Sequence, residues 1–304
     1  MLKIKRLTLV MVAFCALTNA AVAGDLRYST VTGANDVPLQ VVQAGSPTAP
    51  GILFLHGWSL SSGSWQQQLE SSLADDFHLV AMDLRGHGNS GKPWDRDNYQ
   101  PSNVWADDIA AVMAATGLER PLVVAWSMGG HVTMDFVRHY SAAKLAGIVF
   151  VGSNGGMQPF PPFDESTAAE FARLTPLSMS ANAADRLEAA RAFVKGMTQT
   201  PLAPAVFDRE VATVLSLPPY VRSATMGRDL DNADLIASLN LPVLFLMGYA
   251  ERTTTPEGIS KLVEQLPQAE MFVYEATGHM PFIERFEQFN IAVREFAASV
   301  LAED

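Results

Sequence analysis

Short unbroken apolar runs alternate along the chain with longer stretches of helical period. Ile52-Leu53-Phe54-Leu55 follows the breaker Pro50-Gly51, and a bounded run of about four to eight apolar residues reads as a strand buried on both faces. Similar runs recur at 78–82, 122–125, 146–151, 243–247 and 270–274. Segments 64–73, 103–116, 128–140, 256–266 and 286–301 read as helices, the second capped by Ser102 and carrying Asp107 and Asp108 on its polar side. Near-continuous apolar strands separated by helices predict an α/β fold, a mostly parallel central sheet with helices on both faces. Residues 27–44, turning through Thr32-Gly33-Ala34-Asn35-Asp36, predict an antiparallel hairpin at the sheet edge.

The rhythm breaks over residues 154–240. Gln158-Pro159-Phe160-Pro161-Pro162-Phe163 can continue neither a helix nor a central strand. Helical stretches follow near 183–197 and 206–215, then Pro218-Pro219. With no strand-like run, this segment reads as a helical insertion between two core strands.

The N-terminus has a different character. Lys3, Lys5 and Arg6 precede the apolar run Leu7–Leu17, and Ala21-Val22-Ala23 supplies an A-x-A site before Gly24. This is the pattern of a cleaved signal peptide over residues 1–23. The run is shorter than the ~18 residues a membrane-spanning helix needs, so no stable membrane anchor is expected. The protein is therefore expected to be periplasmic or secreted. Cys15, the only cysteine, leaves with the peptide, and the mature chain must be held by its core alone.

Composition narrows the partners. Hydrophobic residues make up 48% of the 304, which excludes a disordered chain. The net charge is −11, and removing three basic and no acidic residues with the peptide takes it to −14. Such an acidic chain lacks the basic face that nucleic acid or an anionic membrane would require. A small molecule is the expected partner.

Candidate chemistry sits at strand ends. Ala125-Trp126-Ser127-Met128-Gly129-Gly130 joins a strand to a helix. A nucleophilic serine on such a sharp turn needs small neighbours because the backbone is strained and close-packed. Here Ala125 stands where glycine is usual. A helix N-cap is the bland alternative for Ser127. The base that Ser127 needs is offered by His279, in Thr277-Gly278-His279-Met280-Pro281-Phe282 after the last strand. His56 and His87 sit in Gly-rich loops and are expected to fix loop shape, His78 and His139 to lie near the surface, and His131 to pack one turn beyond Ser127. The carboxylate that orients such a histidine would follow the fifth strand, where Gly248-Tyr249-Ala250-Glu251-Arg252 offers Glu251. Its alternative is a surface pair with Arg252. Asp83, in Asp83-Leu84-Arg85-Gly86-His87-Gly88-Asn89-Ser90, suggests a loop held by a buried Asp–Arg contact. Oxyanion donors are expected from the Met128 amide and, through the His56-Gly57-Trp58 loop, the Trp58 amide. No His, Cys or Asp cluster has metal-ligand spacing and no Gly-rich phosphate loop occurs, so neither metal nor organic cofactor is expected.

Together these residues resemble the α/β-hydrolase family. Ser127, Glu251 and His279 stand in the family's nucleophile–acid–histidine order. The resemblance covers roughly 28–153 and 241–300. It implies an α/β-hydrolase core at 24–153 and 241–304, with 154–240 as the variable helical cap. Phe54-Leu55-His56-Gly57-Trp58, Trp65, Ser127-Met128-Gly129-Gly130 and Arg138-His139-Tyr140 look most like the cofactor-free haloperoxidase and aryl-esterase branch. The chain departs from that branch twice. Glu251 stands where the branch has Asp, which needs a loop retreat of about one methylene. Ser59 stands where peracid-forming members have Pro, which speaks against peroxide chemistry. A serine at 127 also separates the chain from relatives with an aspartate nucleophile.

The resemblance implies a serine hydrolase acting on a small ester, thioester or lactone. An acyl-homoserine-lactone hydrolase or a perhydrolase would use the same residues. A non-catalytic binding protein on the same scaffold is the alternative from another class.

Overall fold

The computed structural model of the chain describes residues 26–301, so the expected signal peptide and Cys15 lie outside the described residues. One sheet has the strand order β1-β2-β4-β3-β5-β6-β7-β8. Its strands are β1 Arg27–Thr32, β2 Pro38–Ala44, β3 Gly51–Leu55, β4 His78–Met82, β5 Leu122–Trp126, β6 Gly147–Val151, β7 Val243–Gly248 and β8 Ala269–Tyr274. β1 and β2 form the expected antiparallel edge hairpin, β2 meets β4 antiparallel, and every other pairing is parallel.

Successive strand residues point to opposite faces, and this splits the apolar runs into two cores. Leu53, Leu55, Val80, Val123, Phe150 and Phe245 face one side, packed with Trp105, Ile109, Val132 and Leu262. Ile52, Phe54, Leu79, Val124, Val149 and Leu246 face the other, packed with Trp65, Phe282, Phe289 and Val293. The covering helices are α1 Gln66–Leu69, α2 Leu73–Asp76, α3 Ser102–Thr116, α4 Met128–Tyr140, α9 Pro256–Val263, α10 Pro281–Glu284 and α11 Phe286–Leu301. Among the described residues no helix is long and apolar enough to cross a membrane.

Between β6 and β7 the chain makes α5 Glu165–Ser178, α6 Ala183–Gly196, α7 Pro204–Ser216, α8 Pro219–Thr225 and a 3-10 turn at Ala233–Ser238. The expectation of helices near 183–197 and 206–215 missed α5 and α8, although both carry local signals. Asp164 caps α5 by accepting from the Thr167 N–H and hydroxyl, and Pro219 opens α8 at its first turn.

Four other expectations are corrected. The helix foreseen over 64–73 is a 3-10 turn at Ser62–Trp65, then α1 and α2. Ser71 interrupts it by donating to the Gln68 carbonyl and accepting from the Leu73 N–H, the competition serine offers to a helical backbone. Ser102 does not cap α3; Pro101 holds that position and the Ser102 hydroxyl pairs with His139 Nε2 at 2.8 Å. Asp108 is buried, not on the polar side of α3. His78 is buried at the start of β4, paired with Gln43 at 2.9 Å, whereas His139 is exposed as expected.

Candidate active site

The parallel strands all end at one edge of the sheet, and the loops leaving that edge carry Trp58 after β3, Asp83 after β4, Ser127 after β5, Gly152 after β6, Glu251 after β7 and His279 after β8. A common direction of the strands is what gathers residues so distant in sequence.

Ser127 sits in the turn between β5 and α4 with φ 52° and ψ −116°, a conformation costing on the order of 1–3 kcal/mol that must be imposed by its surroundings. Its N–H donates to the Val151 carbonyl at 2.9 Å, and its own carbonyl accepts from the Gly130 N–H at 3.0 Å and the Ser153 hydroxyl at 2.8 Å. α4 starts tight against the sheet, because a Cβ on Gly129 would lie 2.6 Å from the Leu55 carbonyl oxygen. Ser127 holds the N-cap position of α4, but its side chain makes no cap bond there.

Glu251 and His279 are joined. His279 Nδ1 meets Glu251 Oε2. The other carboxylate oxygen, Oε1, accepts from the Thr253 N–H and hydroxyl, each at 2.8 Å. The Glu251 side chain is fully buried. Burial pushes its carboxyl up, but the His279 ring and the Thr253 bonds outweigh burial and leave it below the ordinary range. Arg252 turns away, to Thr167 and Glu170 on α5. The His279 backbone is held from both sides: its N–H donates to Met197 at 2.7 Å, and its carbonyl accepts from Trp126 Nε1 at 2.8 Å.

Gly152, which carries no signature in the sequence, lies against this pair. Its φ is +51°, and a Cβ there would stand 2.8 Å from both Glu251 Oε2 and His279 Nδ1. Glycine is therefore required for both backbone and space. Gly152→Ala is expected to reduce turnover by at least about 100-fold by prising the pair apart. Steady-state kinetics on the folded variant checks this.

Ser127 and Trp58 line two joined lobes of a cavity between the sheet edge and the insertion. The smaller, of ≈ 190 Å³, also holds Gly57, Glu251 and His279. The larger, of ≈ 490 Å³, also holds Met128, His131 and aromatic residues of the insertion. Among the described residues the N–H groups of Trp58 and Met128 donate to no protein acceptor. The Trp58 ring is fixed by its Nε1–H, which donates to Thr225 at 3.0 Å.

Asp83 corrects another expectation. It makes no pair with Arg85; its two carboxylate oxygens accept from the N–H groups of Ser62 at 2.7 Å and Asn89 at 2.6 Å, tying the loops after β3 and β4 together. Arg85 instead reaches α3 and binds both oxygens of buried Asp108 at 2.7 Å. His56 and His87 hold loops, His56 by accepting from Leu84 N–H at 2.9 Å and pairing with the Gly57 carbonyl at 2.8 Å, and His87 by pairing with the Arg85 carbonyl at 3.0 Å.

Burial leaves several histidines harder to protonate. His56, His78 and His87 are lowered first by burial, and His131 is brought down to about 4 by burial and then by Arg228. In the unfolded chain each takes up a proton near pH ~6.5. Unfolding therefore binds protons between that value and the lower folded pKa, and stability falls as the pH drops through that window. Asp135, raised to about 6 by burial, opposes this, as do Asp108, Glu210 and Glu284, whose carboxyls burial also pushes up. Urea midpoints should fall from pH 7.5 to 5, and His131→Asn should shallow the slope.

The family model described as "Alpha/beta hydrolase family" matches residues 52–292. The chain belongs to that family. Among curated relatives it is 28% identical over 265 residues to a pimeloyl-[acyl-carrier protein] methyl ester esterase of Vibrio campbellii, covering 82% of this chain and 95% of the relative. Among solved structures it resembles a Burkholderia cenocepacia protein assigned as an aryl esterase, with TM-score 0.83, 27% identity, and coverage of 91% of this chain and 100% of the other. It also resembles esterase RhEst1 of Rhodococcus sp. ECU1013, with TM-score 0.80, 28% identity, and coverage of 90% and 99%. The α/β-hydrolase fold and an enzyme of the hydrolase class follow, with structural similarity to the aryl-esterase branch.

Proposed function

We propose that the chain is an exported serine hydrolase that cleaves a small carboxylic ester, thioester or lactone through an acyl-enzyme on Ser127. The observation that carries this reading is the buried Glu251–His279 pair opening onto the same cavity as a strained Ser127. With Nδ1–H committed to Glu251, His279 Nε2 is left to accept the Ser127 proton as Oγ attacks the carbonyl. Glu251 fixes that tautomer and stabilises the imidazolium. The Trp58 and Met128 amides receive the developing oxyanion. His279 then protonates the leaving group, and water attacks the acyl-enzyme by the reverse route. Residues 154–240 act as the cap that shapes the acyl site.

The relatives' ester-cleaving names support the bond type, and the pimeloyl ester of one of them is an aliphatic acyl group. The test is a fluorophosphonate probe followed by peptide mass spectrometry, beside a hydrolysis panel of aryl esters, aliphatic esters and lactones. Labelling confined to Ser127 together with ester turnover is expected; an unlabelled, inactive folded protein would favour a binding role. Export rests on the sequence of residues 1–23. Expression with the natural N-terminus should yield a periplasmic or secreted protein beginning at Gly24, and an intact Met1 would overturn that part.

A further inference from the structure

The larger lobe of the cavity has an electrostatic character opposite to that of the chain. Asp and Glu number 32 against 21 Lys and Arg, yet Arg186, Arg222 and Arg228 line this lobe and no Asp or Glu among the described residues does. Two of these arginines have evident structural roles. Arg228 pairs with Asp135 and lies over the Trp105 ring. Arg186 donates to the carbonyls of Ser180 and Ala181, holding the turn before α6.

Arg222 is different. It is 5% exposed and forms no ion pair among the described residues. Its guanidinium donates to the Ser59 hydroxyl at 3.0 Å and weakly to the Val214 carbonyl at 3.5 Å. Its Nε has no partner, as Nε and Nη1 of Arg228 have none, but unlike Arg228 it meets no carboxylate. The group rests 4.7 Å over the ring of Trp58, the residue whose amide is the proposed oxyanion donor. Burial, with no nearby carboxylate to offset it, lowers its pKa to about 10, so it remains charged at neutral pH. His87, whose titration feels this charge, is itself held neutral.

A desolvated cation without a counter-ion is costly, and proteins ordinarily pair or expose it. Here the surroundings hold it in place. Ser59 adopts φ +69°, a value closed to proline, whose ring holds φ near ~−65°. The serine that departs from the peracid-forming pattern is thus the residue whose backbone and hydroxyl together present Arg222. Most of the remaining wall is apolar, with Phe160, Phe163, Leu174, Phe193 and Leu215 among its residues. An apolar channel with an uncompensated cation fits an aliphatic chain that ends in an anion.

We propose that the acyl part of the substrate carries a carboxylate received by Arg222, and that the preferred substrates are half-esters of aliphatic dicarboxylic acids. This rests on the serine-hydrolase reading of the same cavity. The ester carbonyl sits at Ser127 and the chain runs along the aromatic wall. An ionised carboxylate meets a cation in a low-dielectric lobe, where the attraction is screened little by solvent.

The test is a ratio. kcat/KM is measured for mono-4-nitrophenyl succinate, adipate and suberate and for neutral 4-nitrophenyl esters of matching chain length. The wild type is expected to prefer at least one half-ester over its neutral match by about tenfold or more. In Arg222→Met that ratio should fall to about one, and Arg222→Lys should keep part of it. A merely structural role for Arg222, acting through Trp58, would slow both esters together and leave the ratio unchanged. If Arg222→Met fails to fold, Ser59→Ala, which removes the guanidinium's oriented partner, should lower the ratio instead. Turnover of neutral esters with no preference for any half-ester, or a preference that survives loss of Arg222, overturns the proposal and leaves the hydrolase reading standing. If the folded wild type hydrolyses none of the esters, the hydrolase reading fails first. Calorimetry with adipate then decides the anion site alone: binding weakened in Arg222→Lys and lost in Arg222→Met retains it, and no binding to the wild type, or binding that survives in Arg222→Met, removes it.

Discussion

Ser127→Ala is expected to lower kcat for every ester substrate by at least about 10⁴-fold while leaving the fold and its unfolding midpoint close to wild type. The size of the loss follows from what the hydroxyl does. Its oxygen is the only protein atom in the proposed mechanism that bonds to the substrate carbon, and removing the nucleophile of such a unit costs nearly as much as removing the unit. The stability expectation follows from what holds the turn. The φ of 52° is imposed by main-chain bonds to Val151 and Gly130 and by the Ser153 hydroxyl on the Ser127 carbonyl. None of these involves the Ser127 side chain. Measurement of kcat and of circular dichroism on the same preparation checks both halves. Retained turnover by a folded variant would remove Ser127 from the mechanism.

Glu251→Gln is expected to lose on the order of 10³–10⁴-fold in kcat, because the imidazolium loses its countercharge and an amide can present N–H to Nδ1 and reverse the tautomer. Glu251→Asp should retain far more, since the charge survives and only the reach changes. That reach matters here because the Oε1 side is anchored by Thr253 while Oε2 meets His279; a shorter side chain must give up part of one contact. Near-normal activity in both variants would mean that the carboxylate does not serve the reaction. An exposed ion pair would predict that outcome, as such pairs contribute about 0–1 kcal/mol. Glu251 is buried, and Arg252 spends its guanidinium on α5.

The parts of the site legible in the sequence are those with a local signature. Ser127 stands between a continuous apolar strand and a helix, flanked by Ala125 and Gly129, and small neighbours are a requirement of the turn itself. Glu251 and His279 were found by chain position, as the polar residues available after the fifth and sixth apolar runs. Gly152 could have been found by the same rule, since it directly follows the fourth run, but nothing local says that its missing Cβ would meet a carboxylate and an imidazole. Thr253 gave no signal, because a threonine two residues past a loop acid is ordinary sequence. Asp83 and Arg85 misled through their proximity. Side chains two residues apart in a loop need not meet, and each found a better-placed partner from another segment.

The sequence by itself determined the alternation of strands and helices, the edge hairpin, the helical character of residues 154–240, and the placing of Ser127, Glu251 and His279 each after a strand. Apolar runs, periodicity and turn residues act over a few positions, so their consequences can be read from a few positions. Only the tertiary structure decided partners and space: Arg85 with Asp108, Arg252 with α5, His78 buried, Gly152 pressed against the Glu251–His279 pair, and Arg222 on α8 brought to Ser59 from 163 residues away. Such contacts arise where separately stable elements meet. Their energies depend on distance, burial and the absence of competing partners, and none of these is a property of either segment alone.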